Sequence, residues 1–357
     1  MSSQPYELTH QDVLNCRFDQ WHPLFSSRTF ASQVIPLPEE FLAYLQADGI
    51  DASGSAFPEA PSQLRGWSAP RPEKSVADFA RECGFAIQSL SSSGSDDGEN
   101  IETQVEATRA RKAKGKESGA AFYSLDSFKA LDAKIRDALD QLDGEAFPKL
   151  SWSAPLDAVW IGEQQSLKCT EPQHVYLLLK ASDRVSHDLT SAYDHCPAQP
   201  PAGLCGQLLA QQFLVLRRWF RLDHGMEFRC FVRNGSLVAV SQRHDDIFFD
   251  FLPAIQASVL STAGAFLAEV VLPAFPSSSF SVDLYRDRRD RFWIVDFNPW
   301  SPQVTSSLLF TWTELSSLPS SPPAIRVLEH PAQIRPPRRS PILDMAAAAA
   351  VITRPPQ

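Results

Sequence analysis

Paired cysteines are missing from this chain. Its six, Cys16, Cys83, Cys169, Cys196, Cys205 and Cys230, fall at none of the spacings that hold zinc, and they suggest no disulfide scaffold. They read as reduced thiols of a cytoplasmic protein, several of them in the core. A Gly-rich strand-to-helix turn is also absent, which argues against a Walker-type or dinucleotide-type phosphate loop. The protein-kinase signature set is absent too. The one long apolar tract near an end, Met345 to Ile352, is alanine-rich and too short to span a bilayer, so no membrane anchor is expected. Positive charge is in deficit: 33 Lys and Arg against 42 Asp and Glu give a formal net charge of -9, which argues against a general nucleic-acid binder. His174, His187, His195, His224 and His244 are scattered and assemble no nucleophile, base and orienter.

What is present is a chain of 357 residues, 43% hydrophobic, longer than a single hydrophobic core usually grows, so two lobes are expected. Residues 13–50 carry Phe18, Trp21, Phe25, Val34 and Ile35, then a helical pattern at Phe41, Leu42 and Leu45 that Gly49 would end. Residues 51–72 shift to Ser, Ala, Pro and Gly, and 89–119 is a low-complexity segment read as a disordered insertion. A helix is expected from about Leu125 to Leu142, with Phe128, Leu131, Ile135 and Leu139 at helical spacing. Strands are expected at Val175 to Lys180, Phe213 to Trp219, Glu227 to Arg233, Ser236 to Gln242, Phe280 to Arg286 and Phe292 to Asn298, with a helix around Pro253 to Val271. The resulting boundaries are 1–88 and 120–212 for a first lobe, 213–317 for a second, and 318–357 for a mostly irregular tail.

Two hairpins carry the chemistry. Phe280 to Arg286 and Phe292 to Asn298 alternate about a charged turn, Asp287-Arg288-Arg289-Asp290. If Arg286 pairs with Arg291, Asp283 lies opposite Ile294, and the period of two brings Asp283, Asp296 and Asn298 onto one face. Three oxygen ligands on an apolar hairpin suit a hard cation that bridges to phosphate oxygens. Two alternatives stay open: polar edge residues facing water, and a turn one residue longer or shorter, which moves Asp283 to the other face. In the second hairpin, Asn234-Gly235 favours a tight primed turn. Pairing Arg233 with Ser236 then groups Glu227, Arg229, Val240 and Gln242, with Arg243 on the opposite face. Glu227 and Arg229 fit either a nucleotide's ribose and phosphates or an internal salt bridge. Lys149, after Phe147-Pro148, and Lys180, at the end of Val175 to Leu179, are lysines at the rims of apolar strands, which fit either a strand end reaching water or phosphate oxygens in a cleft.

The order of these pieces resembles ATP-grasp proteins, and more narrowly the cell division cycle protein 123 family. The resemblance rests on Cys16 to Phe25 with Ile35-Pro36-Leu37-Pro38, Phe147 to Trp160, Leu167-Lys168-Cys169, Leu214 to Trp219, Glu227 to Val232, Ser241-Gln242-Arg243, Asp283 to Asp287 and Asp296 to Trp312. It implies an α+β, ATP-grasp-like two-lobe fold with antiparallel sheets enclosing a nucleotide cleft. It also implies a monomer that binds ATP and magnesium and assembles eukaryotic translation initiation factor 2 through its gamma subunit, without turnover. Carried over by motif, Lys149, Trp152, Ser153 and Ala154 meet the nucleotide, and Arg217, Arg218 and Trp219 fall at the adenine hinge. Glu227 and Arg229 hold ribose and phosphates, Arg243 a phosphate, and Asp283, Asp296 and Asn298 the magnesium. Ser151 and Leu156 depart from the family's usual Asn and Arg, and the stretch after Asn298 lacks its usual Gly and acidic residues. The competing expectation is a carboxylate-amine ligase that activates a carboxylate as an acyl phosphate at the same metal site.

Overall fold

The N-terminal segment folds around its aromatic residues. Thr9 closes a capping box with Asp12 at the start of helix His10–Asn15, and helix Phe18–Phe25 turns Phe18, Trp21 and Phe25 inward. Each of these three side chains is almost wholly buried, and burial of one such side chain is worth about 1.5–3 kcal/mol. Strand β1, Ser32–Pro36, leads into helix Glu39–Gln46, which buries Phe41 and Leu45. The computed structural model describes residues 6–47, 128–197 and 211–334, all in one compact unit. The stretch 51–72, the insertion 89–119, Gly49, Cys83, Cys205 and the tract Met345 to Ile352 lie outside the described residues.

Helix Lys129–Gln141 buries Leu131, Ile135, Ala138 and Leu139, as its spacing predicts. The chain then forms β2, Ala146–Lys149. The expected strand at Val175 to Lys180 is instead the end of a helix, Pro172–Lys180. A continuous apolar run has no period of its own, and here Pro172 at the first helical turn, with Val175, Tyr176, Leu178 and Leu179 buried, resolves it as helix. Lys180 therefore closes a helix.

Two sheets carry the rest. The three-stranded antiparallel sheet has the order β1-β3-β2, with β3 at Phe213–Arg218 in the centre. The five-stranded sheet runs β7-β6-β4-β5-β8, from Phe292–Pro299, Phe280–Arg286, Glu227–Arg233, Ser236–Gln242 and Ala324–Arg326. Its first four strands are antiparallel, and β8 pairs parallel with β5. The segment expected to be mostly irregular beyond 318 thus supplies an edge strand.

Pleating sorts the large sheet into two faces. Phe228, Cys230, Val232, Val282, Leu284, Ile294 and Phe297 face an apolar core shared with Trp21, Phe25 and helix Leu252–Phe266. That helix continues through a π turn, Leu267–Val271, and by length and composition alone it is apolar enough to cross a membrane. Its Leu252, Val259, Ala263, Leu267 and Val271 are nonetheless core residues. The opposite face carries the polar members of the same strands, flanked by a small cluster of Phe231, Trp300, Phe310 and Leu315. Cys16, Cys169 and Cys230 are buried free thiols, and Cys196 is a half-buried one.

Candidate functional site

Both hairpin registers differ from those expected, and both differences build the site. Asp287 accepts backbone N–H donations from Arg289 and Arg291 at 2.8 and 3.0 Å, drawing Arg291 into the turn, so pairing begins at Arg286 with Phe292. A β-bulge then makes Val295 the extra residue, and Asp283 lies opposite Asp296 rather than Ile294. Asn298 faces Ser281 two pairs further on. The two carboxylates and the amide share a face, by direct pairing across the bulge. In the other hairpin a bulge between Phe231 and Val232 pairs Arg229 with Ser241, not Val240, and Phe228 with Gln242. Glu227 accepts the backbone N–H of Arg243 at 2.9 Å. Arg243 therefore joins Glu227 and Arg229 on the polar face, while Val240 and Gln242 leave it.

Asp283 is gripped by arginines. Arg229 donates through Nε and Nη2 at 2.7 Å each, and Arg243 Nε approaches at 3.3 Å. Burial alone would raise the Asp283 carboxyl, but the two guanidiniums outweigh it and hold its pKa below the ordinary value. The third donor group of Arg229, Nη1, binds the Ser306 carbonyl at 2.9 Å, tying the loop after β7 to the site. From the other sheet, Lys149 Nζ donates to Asp296 Oδ2 at 2.6 Å. Burial lowers the Lys149 pKa, against the pull of Asp296. Three cations thus contact two carboxylates, leaving one positive charge.

Arg217 explains the bulge. Its Nη1 donates to the Val295 carbonyl at 2.6 Å and its Nη2 to Thr29 Oγ1 at 3.0 Å, while its guanidinium lies over the rings of Phe18, Phe30 and Phe147. Burial pushes its pKa down to about 10. Arg217 acts as a positioning residue that sets Asp296 against Asp283. Arg218 is exposed and paired with Asp143, and half-buried Trp219 packs near Phe147. All three sit where the chain leaves the small sheet for the large one.

The turn after β2 is fastened from within. Ser153 donates its backbone N–H and hydroxyl to buried Asp188 at 2.7 and 2.8 Å, and Trp152 Nε1 donates to the Val13 carbonyl at 2.9 Å. Ala154 follows on the turn, half-buried. Ser151 is buried, accepting from the backbone N–H of Phe213 at 3.2 Å, whereas Leu156 is exposed. Lys180 lies apart from these residues. It donates to the carbonyls of Tyr44, Leu45 and Ala47 at the end of helix Glu39–Gln46, because its own helix ends there rather than at a strand rim.

Sequence reasoning missed Asp188, Thr29 and the Ser306 carbonyl, which carry no local signature. It also missed that His224 and His244 converge on Glu227, a spacing visible only once the bulge is counted. The donor set itself fits a hard cation: two carboxylates and an amide. Asn298 Nδ2 and Ser281 Oγ, opposite one another, are buried with no hydrogen-bond partner among the described residues.

The model of the D123 family matches residues 21–346. The chain belongs to the Cdc123 family, also called D123. A Sclerotinia sclerotiorum relative named "Translation initiation factor eIF2 assembly protein" is 34% identical over 91% of this chain and 70% of its own. A Xenopus laevis relative of the same name is 33% identical over 85% and 78%. The fold is similar to the solved structure of Cdc123 from Schizosaccharomyces pombe, with a TM-score of 0.63 at 30% identity over 90% of this chain and 98% of that one.

Proposed function

We propose that this protein binds ATP with magnesium on the polar face of the large sheet, in an ATP-grasp-like cleft between its two sheets, and that the nucleotide-bound form docks the gamma subunit of eIF2 during assembly of that factor. Family membership, with relatives named eIF2 assembly protein, supports the assembly role. The observation that carries nucleotide binding is the Lys149, Arg229 and Arg243 cluster around Asp283 and Asp296, one charge in excess and built for an anion.

In this reading Asp283, Asp296 and Asn298 hold the metal, which would neutralise phosphate oxygens. Lys149, Arg229 and Arg243 exchange part of their carboxylate contacts for phosphate oxygens. Glu227 faces the ribose, and the Arg217 to Trp219 connection borders the base. Because Asp283 and Asp296 are already paired with Lys149, Arg229 and Arg243, magnesium without nucleotide has to compete with those three cations for them. Binding is therefore expected to be joint, and a client that prefers the loaded state shares its binding energy with the nucleotide.

Calorimetry with magnesium alone, with ATP alone and with both tests the site, and capture of the gamma subunit under the same conditions tests the role. The expected results are heat only when nucleotide is present, tighter capture with both, and negligible ATP hydrolysis. Tight magnesium binding without nucleotide refutes the charge argument. Sustained ADP release on adding small amines and carboxylates favours a ligase instead.

A further inference from the structure

The polar face holds a second cluster, whose two histidines the nucleotide reading does not use and whose Glu227 that reading turns toward the ribose. His224 Nδ1, His244 Nε2 and Glu227 Oε1 form a triangle with all three sides at 3.1 Å. Hydrogen bonding alone accounts for this badly. Each ring nitrogen carries at most one proton, directed in its ring plane, and one proton cannot serve two edges of a triangle well. Lone pairs converging on a common point account for it well. Tetrahedral zinc with bonds of about 2.0–2.1 Å spaces its ligands about 3.3 Å apart. Two imidazoles and a carboxylate are also a donor set that zinc takes while keeping a fourth position open.

The backbone holds the triangle in place. His224 and Glu227 are three residues apart, in the 3-10 turn before β4 and at its first residue. His244 follows the end of β5, and the Gln242 amide donates to the carbonyls of His244 and Ile247 at 2.5 and 2.6 Å. Gly225 packs against the chain beyond: a Cβ there would lie 2.6 Å from Phe251 Cζ and 3.1 Å from Phe249 Cδ1. The turn carrying His224 is thereby pressed onto the segment that follows His244. Side-chain exposure falls from 60% at His224 to 27% at His244 and 15% at Glu227, which gives an ion a route in from solvent.

We propose that His224, Glu227 and His244 form a binding site for a borderline transition-metal ion, zinc above all, distinct in chemistry from the all-oxygen set of Asp283, Asp296 and Asn298. Two nitrogens and one carboxylate select against magnesium. The ion would staple the open end of the β4–β5 hairpin, opposite its Asn234-Gly235 turn, and leave one coordination position to water or an incoming ligand.

Cobalt(II) titration of the full chain, followed by its visible absorption, tests this. One equivalent of four-coordinate cobalt is expected, without the near-ultraviolet absorption of thiolate ligation, and zinc should displace it. Zinc is also expected to raise the melting temperature by mass action. His224→Ala and His244→Ala should each weaken binding by more than the roughly 10–100-fold that loss of an outer-shell partner costs, and abolish the zinc-dependent shift. His224 is exposed enough that its variant keeps the fold, which circular dichroism without metal checks. Six-coordinate cobalt only, thiolate absorption, or affinity unchanged in both variants overturns the proposal.

Discussion

Asp296→Ala and Lys149→Met break one ion pair from opposite ends, and burial makes the two unequal. The Lys149 side chain is 2% exposed and that of Asp296 is 24% exposed. Removing the carboxylate strands an ammonium in a dry site, and breaking a buried pair in this way costs about 3–5 kcal/mol. That is a large share of the about 5–15 kcal/mol that holds a domain folded. Part of the cost is relieved if Lys149 gives up its proton, since burial already lowers its pKa. Removing the ammonium instead leaves Asp296 within reach of water, and methionine keeps the volume, so a loss below about 1.5 kcal/mol is expected. The double variant Lys149→Met with Asp296→Asn leaves no stranded charge and should recover about 2 kcal/mol or more relative to the sum of the Lys149→Met and Asp296→Asn losses. Urea unfolding without nucleotide, at unchanged m-value, measures all four variants against wild type. A larger loss for Lys149→Met than for Asp296→Ala, or strictly additive effects, would refute the reasoning.

Two further outcomes are expected. Lys180→Met removes charged hydrogen bonds to three carbonyls and should lower unfolding free energy by about 1.5–3 kcal/mol while leaving ATP affinity unchanged; a calorimetric loss of affinity would return Lys180 to the site. Glu314 donates nothing and accepts from Arg326 and from the Thr311 backbone and hydroxyl, which hold its pKa at about 2, below its ordinary 4.5. A depressed carboxyl stabilises the fold above the unfolded value, so the stability gap between wild type and Glu314→Gln should be constant above about pH 5 and close as pH falls from 4.5 toward 2. A gap that persists to pH 2 counts against the Arg326 anchor.

By itself the sequence determined the alternating strands on either side of two turns and the helix expected from about Leu125 to Leu142 and found at Lys129–Gln141, because these follow from periods of 2 and 3.6 along the chain. It also carried the family resemblance, spread over both halves. Tertiary structure decided the rest. Val175 to Lys180 became helix because an apolar run has no preferred period until its neighbours supply one, and Lys180 left the site with it. The registers turned on two bulges. One is held by Arg217, which reaches the Val295 carbonyl from another sheet 78 residues away in sequence, a contact no local pattern announces. Those single-residue slips brought Asp283 opposite Asp296, moved Arg243 onto the face of Arg229, and let His224 meet His244. A strand reverses its faces with every residue of slip, so a side chain's role in a site depends on contacts made far from it in sequence.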